Sequence, residues 1–331
     1  MTSQSAAPRT RFDGQVAIVT GAGGGLGLAI AQELARRGAA VLVNDYGGSV
    51  QGEGGSPERA EAAAAKLRSD GARAVANAMA VGTPESARAI VAHAVDAFGK
   101  VDILVNNAGV ARPCPFTAAT DENLAAELRT NLLGPYALMR AVWDGMAIRR
   151  YGRILNVSSN ASFGIGHNTS YATAKAGLIG LTLDTAAEGR PLGIHVNALM
   201  PVAYTRMIEG IPDPNFVAWF RKHMAPEKAA AAIAYFLSAD SQVTGHVLSA
   251  GGGRLARIVF ATNDGVTGAT DAEATRDRLA DAVSTARLHV LESSAGELAH
   301  YSAVFPFEGP GGGPALAETA VIGAGTGKVQ D

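Results

Sequence analysis

From Val16 onward, short β-branched runs alternate with alanine-rich segments of helical period, and nothing else in the chain narrows its fold so far. Parallel strands need long crossover connections, and helices supply them, so the alternation dictates an α/β layered sandwich. The strand candidates are Val16–Thr20, Val41–Asp45, a weaker Ala74–Asn77, Asp102–Asn106, Arg153–Ser158, Ile194–Leu199 and His246–Ser249, which together make a seven-stranded, doubly wound parallel sheet. Leu26, Ile30 and Leu34 recur every fourth residue and Gly38 follows, predicting a first crossover helix with an apolar stripe and a glycine stop. Thr83 and Pro84 supply an N-cap and a first-turn proline for the helix ending near Phe98.

At 331 residues the chain exceeds the roughly 250 that one open α/β sheet uses. We therefore expect one domain over residues 12–253, an extension over 254–308 that covers the active site or braces a dimer, and a Gly/Pro-rich mobile tail over 309–331. Inside the extension, Arg257–Phe260 reads as a strand and Asp271–Ala286 as a polar helix. Ser49–Pro57 reads as a loop.

Hydrophobic residues at 47% and charged residues at 18% predict a substantial core. Lys and Arg total 28 against 30 for Asp and Glu, with no basic stripe, which argues against nucleic acid as a partner. Cys114 is the only cysteine, so no intramolecular disulfide and no cysteine metal cluster can form; no metal is expected, and a reducing compartment fits. Met1–Arg11 lacks an apolar signal core, and no stretch approaches the roughly 20 apolar residues that span a bilayer, so the expectation is a cytoplasmic protein that does not enter membranes.

The first strand runs into Thr20-Gly21-Ala22-Gly23-Gly24-Gly25-Leu26-Gly27 and then a helix. That arrangement sets free backbone N–H groups and the positive helix end against a pyrophosphate, and glycines let the ligand approach. The second strand ends at Asp45, whose carboxylate suits the adenosine ribose hydroxyls and repels a 2′-phosphate; no Lys or Arg occurs at 21–28 or 46–57. NAD is thus favoured over NADP.

Tyr171 and Lys175 lie four apart in a helical segment and share a face. A phenol of pKa about 10 transfers protons poorly at neutral pH, and a neighbouring ammonium favours its phenolate. Ser158 stands thirteen residues before Tyr171 at a strand end, and Asn106-Asn107-Ala108-Gly109 ends another strand. Ser159 is the rival to Ser158 if the intervening loop is one residue short.

With the Thr-Gly-x-x-x-Gly-x-Gly turn, Asn-Asn-Ala-Gly, Ser, Tyr-x-x-x-Lys and a downstream Pro in this order, the chain resembles the short-chain dehydrogenase/reductase family over roughly residues 12–253. Asn44-Asp45-Tyr46-Gly47-Gly48 and Pro201-Val202-Ala203-Tyr204-Thr205-Arg206-Met207 look like the (3R)-hydroxyacyl-CoA dehydrogenase part of peroxisomal multifunctional enzymes. The resemblance implies a Rossmann-type fold and hydride transfer between NAD and a secondary alcohol or ketone. It implies Tyr171 as general acid/base, Ser158 on the substrate oxygen, Lys175 on the nicotinamide ribose and Asn131 in a proton relay through water. Gly21, Gly25, Leu26, Gly27, Asp45, Val81, Asn107, Ala108, Gly109, Tyr171, Lys175, Pro201, Val202 and Thr205 would contact the cofactor, although Ala80 stands where the family usually has an adenine-contacting Asp. A homodimer or homotetramer is implied as well.

The substrate is left open among a 3-hydroxyacyl thioester, a hydroxysteroid and a polyketide-like metabolite. An NAD-retaining lyase or isomerase and a non-catalytic NAD-binding partner are the rival functions. Met207–Met224 reads equally as a substrate lid or a surface helix, His167 as a solvated loop residue or a substrate contact, and Leu132, Leu133, Leu138, Val142, Leu178, Leu181 and Leu183 as dimer face or core.

Overall fold

The structure, a computed structural model, describes residues 10–305 and 321–323. The chain divides into two compact units, the first ending at Arg257 and the second beginning at Ile258.

In the first unit the alternating pattern becomes β1 (Val16–Thr20), α1 (Gly25–Arg36), β2 (Ala40–Asn44), α2 (Glu58–Ser69), β3 (Ala74–Asn77), α3 (Pro84–Phe98) and β4 (Ile103–Asn106). There follow α4 (Asp121–Leu128), α5 (Gly134–Arg149), β5 (Gly152–Val157), α6 (Thr169–Gly189) and β6 (Ile194–Pro201). Short helices α7 (Arg206–Glu209), α8 (Pro214–His223) and α9 (Pro226–Ala234) lead to β7 (Val247–Gly251) and β8 (Arg254–Ile258). The sheet order is β3-β2-β1-β4-β5-β6-β7-β8, with every pairing from β3 through β7 parallel.

The sheet therefore has eight strands, one more than the pattern predicted. Gly252 and Gly253, at φ 61° and 94°, make a two-residue turn after β7. A connection that short returns the chain antiparallel, and a turn with both central residues at positive φ suits glycine.

Each buried strand presents its side chains alternately to two layers. Ala17, Val19, Val41, Val43, Ile103 and Val105 face one core with Leu26, Ile30 and Leu34 of α1 and Ala229 and Ile233 of α9. Ile18, Leu42, Leu104, Ile154 and Val196 face the other with Ile90 of α3 and Leu138, Val142 and Met146 of α5. Thr83 caps α3 by accepting from the Ser86 N–H, and Gly38 ends the first crossover at φ 107°.

The second unit contains β9 (Ala261–Thr262), α10 (Ala272–Ala282), β10 (Arg287–Val290), α11 (Ser294–Val304) and β11 (Val321–Gly323), its strands paired antiparallel in the order β11-β10-β9. Asp271 and Ser293 cap the two helices. The predicted strand Arg257–Phe260 falls between two observed ones, and the predicted helix Asp271–Ala286 is shorter, ending at Ala282. Val321–Gly323 forms a strand inside the segment expected to be mobile, because Val321 and Ile322 favour extended pairing with β10. The rest of the expected tail lies outside the described residues.

Candidate active site

Strand order reverses between β1 and β4, and ligands of open α/β sheets lodge in the crevice that such a reversal leaves at the carboxyl ends of the strands. The glycine turn leaves β1 there and Asn107-Ala108-Gly109 leaves β4. Buried Thr20 stitches them together: its hydroxyl accepts the Asn107 and Ala108 N–H groups, each at 3.0 Å. The Asn107 amide in turn donates to the Thr20 and Gly21 carbonyls at 2.9 and 3.1 Å.

That close approach is why glycine is needed at two positions. A Cβ at Gly21, whose φ is 63°, would stand 2.8 Å from Ala108 Cα, and one at Gly27 would strike the Gly21 carbonyl oxygen and the Asn107 amide. Helix α1 begins behind Gly24 with no side-chain cap and no acidic residue in its first turn. Uncapped N–H groups at a helix start, approached over glycine, fit the pyrophosphate of a dinucleotide. Gly25 and Leu26 open that helix.

Asp45 is buried and uses both carboxylate oxygens on backbone, accepting from Gly23 N–H at 2.8 Å and Gly47 N–H at 2.7 Å. It is thus a clamp between the glycine turn and the loop after β2. Two cations stand in this region that the sequence reading did not include. The Arg59 stem lies 2.9 Å from where a Gly23 Cβ would be. Arg206 senses both Asp45 and Arg59, and donates to the Gly48 carbonyl at 3.4 Å. Arg59 lies two residues past the cation-free segment 46–57, and Arg206 is the first residue of α7.

Pro201 ends β6, the Val202 N–H donates to the Ala250 carbonyl, and Thr205 immediately precedes α7 with its methyl 3.5 Å from a Cβ built on Gly25. Of these three, Thr205 stands beside the glycine turn. Val81 is partly buried against the core that includes Ile90 and Leu138, and lies 3.2 Å from a Cβ built on Gly134.

Among the residues expected to be catalytic, Lys175 is buried on α6. Its ammonium donates to the Val157 carbonyl at 2.7 Å and lies 5.6 Å from the centroid of the Tyr171 ring. Desolvation pushes the Lys175 pKa down to about 8. Burial lifts Tyr171 above the usual phenol range, the Ser159 hydroxyl draws it back, and the Glu127 carboxylate raises it further. The direction is opposite to the expectation that Lys175 would pull the phenol down, and its first cause is burial of the phenol.

The two candidate serines have different partners. Ser158 is buried and donates to the Lys175 carbonyl at 2.7 Å, so its hydroxyl braces α6 against the end of β5. Ser159, two residues past the end of β5, has a hydroxyl that lowers the Tyr171 pKa. It also accepts the Ala161 N–H at 3.1 Å, which opens the 3-10 turn Asn160–Phe163.

Asn131 is fully buried within a π-helical turn, Arg129–Leu133, joining α4 to α5. Its amide takes both polar atoms of Val110, donating to the carbonyl at 2.8 Å and accepting the N–H at 3.1 Å. The Gly134 N–H goes to the Arg129 carbonyl, and Pro135, four residues after Asn131, has no N–H to offer the Asn131 carbonyl. Gly109 completes the group, since a Cβ there would lie 2.8 Å from Asn131 Oδ1 and 3.6 Å from Lys175 Nζ.

The sequence reading also missed Glu127, whose carboxylate is buried on α4. Only its four-residue spacing from Asn131 signalled that the two share a face. His167 is exposed and adopts φ 52°. In the lid candidate, Phe220 is buried while Phe216 and Trp219 are exposed and stack at 6.3 Å. Leu138, Val142 and Leu178 belong to the core, whereas Leu133 and Leu183 are exposed.

Among the described residues no helix is long and apolar enough to cross a membrane, and no group of three or more His, Cys, Asp or Glu could hold a metal ion. The short chain dehydrogenase family matches residues 15–213. A short-chain type dehydrogenase/reductase of Mycobacterium tuberculosis is 39% identical over 252 residues, covering 76% of this chain and 87% of the relative. Peroxisomal multifunctional enzyme type 2 of Mus musculus is 38% identical over 75% of this chain, but the chain spans only 33% of that enzyme's length. The crystal structure of a short chain dehydrogenase from Mycobacterium avium superposes with a TM-score of 0.71 at 34% identity, covering 82% of this chain and 95% of the other. With strand order, phosphate turn and the Tyr171–Lys175 pair all in place, the chain belongs to the short-chain dehydrogenases, a family of oxidoreductases.

Proposed function

We propose that the protein is an NAD-dependent oxidoreductase interconverting a secondary alcohol and a ketone, with Tyr171 as the proton-transfer group. The observation that carries this reading is the buried pair of Tyr171 above Lys175, beside Gly109 and Asn131 and next to the glycine turn. When bound, the nicotinamide dinucleotide accepts or supplies the hydride.

The chain's own groups do the rest. The N–H groups of Gly25, Leu26 and Gly27 at the start of α1 hold the pyrophosphate. Asp45 keeps a negative charge where a 2′-phosphate would stand, which favours NAD even though Arg59 and Arg206 are close by. Asn107, Ala108, Gly109, Pro201, Val202 and Thr205 line the route toward the nicotinamide end. Tyr171 takes the proton of an alcohol or gives one to a ketone, and Ser159 replaces Ser158 as the hydroxyl that holds the substrate oxygen. Lys175, with its lowered pKa, binds the ribose and relays the proton outward. The Asn131 side chain is committed to Val110, so its role in the relay falls to its backbone carbonyl, which Pro135 leaves without an α-helical donor.

A 3-hydroxyacyl thioester is the substrate class we favour, because peroxisomal multifunctional enzymes are among the relatives. Assembly as a homodimer or homotetramer and a cytoplasmic location belong to the same reading, as does an extension beginning near residue 254.

The test is fluorescence titration with NADH and NADPH, followed by turnover of 3-hydroxybutyryl-CoA, a hydroxysteroid and a simple secondary alcohol by wild type and Tyr171→Phe. Tighter NADH binding, and a kcat loss of roughly 10² to 10⁴ in the variant with NADH affinity retained, are expected. Preference for NADPH would transfer the adenosine-side role from Asp45 to Arg59 and Arg206. Undiminished turnover in Tyr171→Phe would sink the proton-transfer assignment.

A further inference from the structure

Residues 45–57 join β2 to α2, thirteen residues where a βα connection commonly takes about two to six. The extra length is shaped by its own hydrogen bonds. At the base the Ser56 N–H donates to the Tyr46 carbonyl at 2.9 Å, which draws the two limbs together, and the Gly47 N–H is held by Asp45. At the tip the Ser49 N–H donates to the Glu53 carbonyl at 2.8 Å and the Gly52 N–H to the Ser49 carbonyl at 3.0 Å.

The tip, residues 50–52, rests on the segment that follows Gly109. The Val50 carbonyl accepts the Ala111 N–H at 2.9 Å, and the Gln51 carbonyl accepts Arg112 Nε at 2.8 Å. A Cβ on Gly52 would stand 2.9 Å from Val110 Cγ1. The Val50 side chain packs against the buried cluster of Ala111, Ala161 and Tyr171. Along one flank, the Gly48 carbonyl accepts from Arg206 of α7.

Sheet order turns these contacts into a crossing. β1 lies between β2 and β4, so a loop that leaves β2 and bonds beyond β4 must pass over the carboxyl end of β1, where the glycine turn starts. Close to the end of β4 the glycine turn itself touches Asn107 and Ala108, and the tip docks two to five residues further along the same segment. The crevice is thus spanned twice, once by the turn and once by the loop. The landing site is firmly held: Asn131 engages both polar atoms of Val110, and Glu127 accepts the Arg112 N–H at 2.7 Å. The loop is held at its tip by two hydrogen bonds and apolar packing, and glycines at positive φ stand in both limbs, Gly47 at 79° and Gly54 at 72°. Of the two partners, the loop is the one built to move.

We propose that residues 46–57 form a strap over the dinucleotide, with the glycine turn as floor, and that the tip must leave residues 110–112 before the dinucleotide can leave. Arg112 is the positioning residue that keeps the strap shut. Because Val50 packs in the cluster that contains Tyr171, the same opening loosens the surroundings of the proton-transfer group, so dinucleotide exchange and the order of that site are coupled. This inference rests on the dinucleotide-binding reading given above.

The experiment measures release. Full-length protein is loaded with NADH, which is displaced by excess NAD in a stopped-flow fluorimeter, and amide exchange is followed at Ala111 by NMR. In wild type, NADH should slow exchange at Ala111, because the closed strap supplies that N–H with its acceptor. Arg112→Ala removes the bond to Gln51, and Gly52→Ala pushes the tip off Val110 at a φ of 85° that disfavours a side chain. Each variant should release NADH roughly 5- to 20-fold faster and exchange Ala111 faster, with circular dichroism unchanged.

An unchanged release rate in either folded variant overturns the proposal; if only Arg112→Ala is fast, Arg112 acts on the dinucleotide by its charge and not through the strap. Should Arg112→Ala fail to fold, Gly52→Ala carries the test, and exchange at Ala111 in wild type that NADH leaves unaltered overturns the proposal with no variant at all. A loop that merely braces the fold would lower the unfolding midpoint in both variants and leave release in place. Failure of wild type to bind either NADH or NADPH defeats the dinucleotide reading and this inference with it, whereas tight NADH binding with unmoved release rates defeats this inference alone.

Discussion

The two sides of the crevice are built from different materials. On the dinucleotide side the geometry resides in backbone: unpaired N–H groups at the start of α1, and glycines whose missing Cβ lets Gly21, Gly27 and Asn107 touch. On the proton-transfer side it resides in side chains brought from α4, the π-turn, β5 and α6, each held by a specific hydrogen bond. A backbone site is written into the identity and spacing of a few consecutive residues. A side-chain site depends on loop lengths and on which atoms neighbours have already engaged.

The sharpest way to break the contrast is Gly27→Ala. The new methyl would meet the Gly21 carbonyl and the Asn107 amide, both rigidly held, so the turn must open. NADH affinity should drop by roughly 10- to 100-fold, with about 1–3 kcal/mol of stability lost, measured by titration and denaturant unfolding. Unchanged affinity would mean that close backbone approach is not what shapes the dinucleotide side.

A smaller effect separates the paired serines. Ser159→Ala should lower kcat by roughly 10- to 100-fold with little change in unfolding. Ser158→Ala should leave kcat within a few-fold and lower stability by about 1 kcal/mol, because its bond to the Lys175 carbonyl and a longer one with the Ser162 hydroxyl at 3.5 Å are lost. The reverse pattern would return the substrate-facing role to Ser158.

These cases explain what was legible from the chain alone. The phosphate turn, Asp45 and the Tyr171–Lys175 pair were readable because strand, turn and helix phases place them whatever the surroundings. The serine stayed open between Ser158 and Ser159, because counting thirteen residues back from Tyr171 lands on Ser158 and the shape of the connecting turn, which positions each hydroxyl, is not written in the residue spacing. Glu127 lies on a polar helix, where an acid normally faces solvent, and nothing local marks it as buried. The eighth strand escaped because Gly252-Gly253 reads as a terminus of the alternating pattern until the hairpin is seen. Arg206 escaped because its neighbourhood is assembled from residues more than a hundred positions apart.

The smallest expected effect tests whether the two sides are as distinct as they look. Asp45→Asn retains an oxygen for one of its two N–H partners and removes the charge. NADPH affinity should rise by a few-fold to about 10-fold while NADH affinity changes less. A loss of both affinities to the same degree would show that Asp45 serves mainly as a structural clamp.

That double duty has an evolutionary consequence. Because the Asp45 carboxylate ties Gly23 to Gly47, a substitution that recruits a 2′-phosphate also leaves two backbone donors unpaired beside the turn that must hold the pyrophosphate. A lineage carrying this clamp is therefore slow to change its coenzyme by a single mutation. Arg59 and Arg206 supply the positive charge in advance, so the barrier to such a change lies in repairing the turn and not in acquiring the cation.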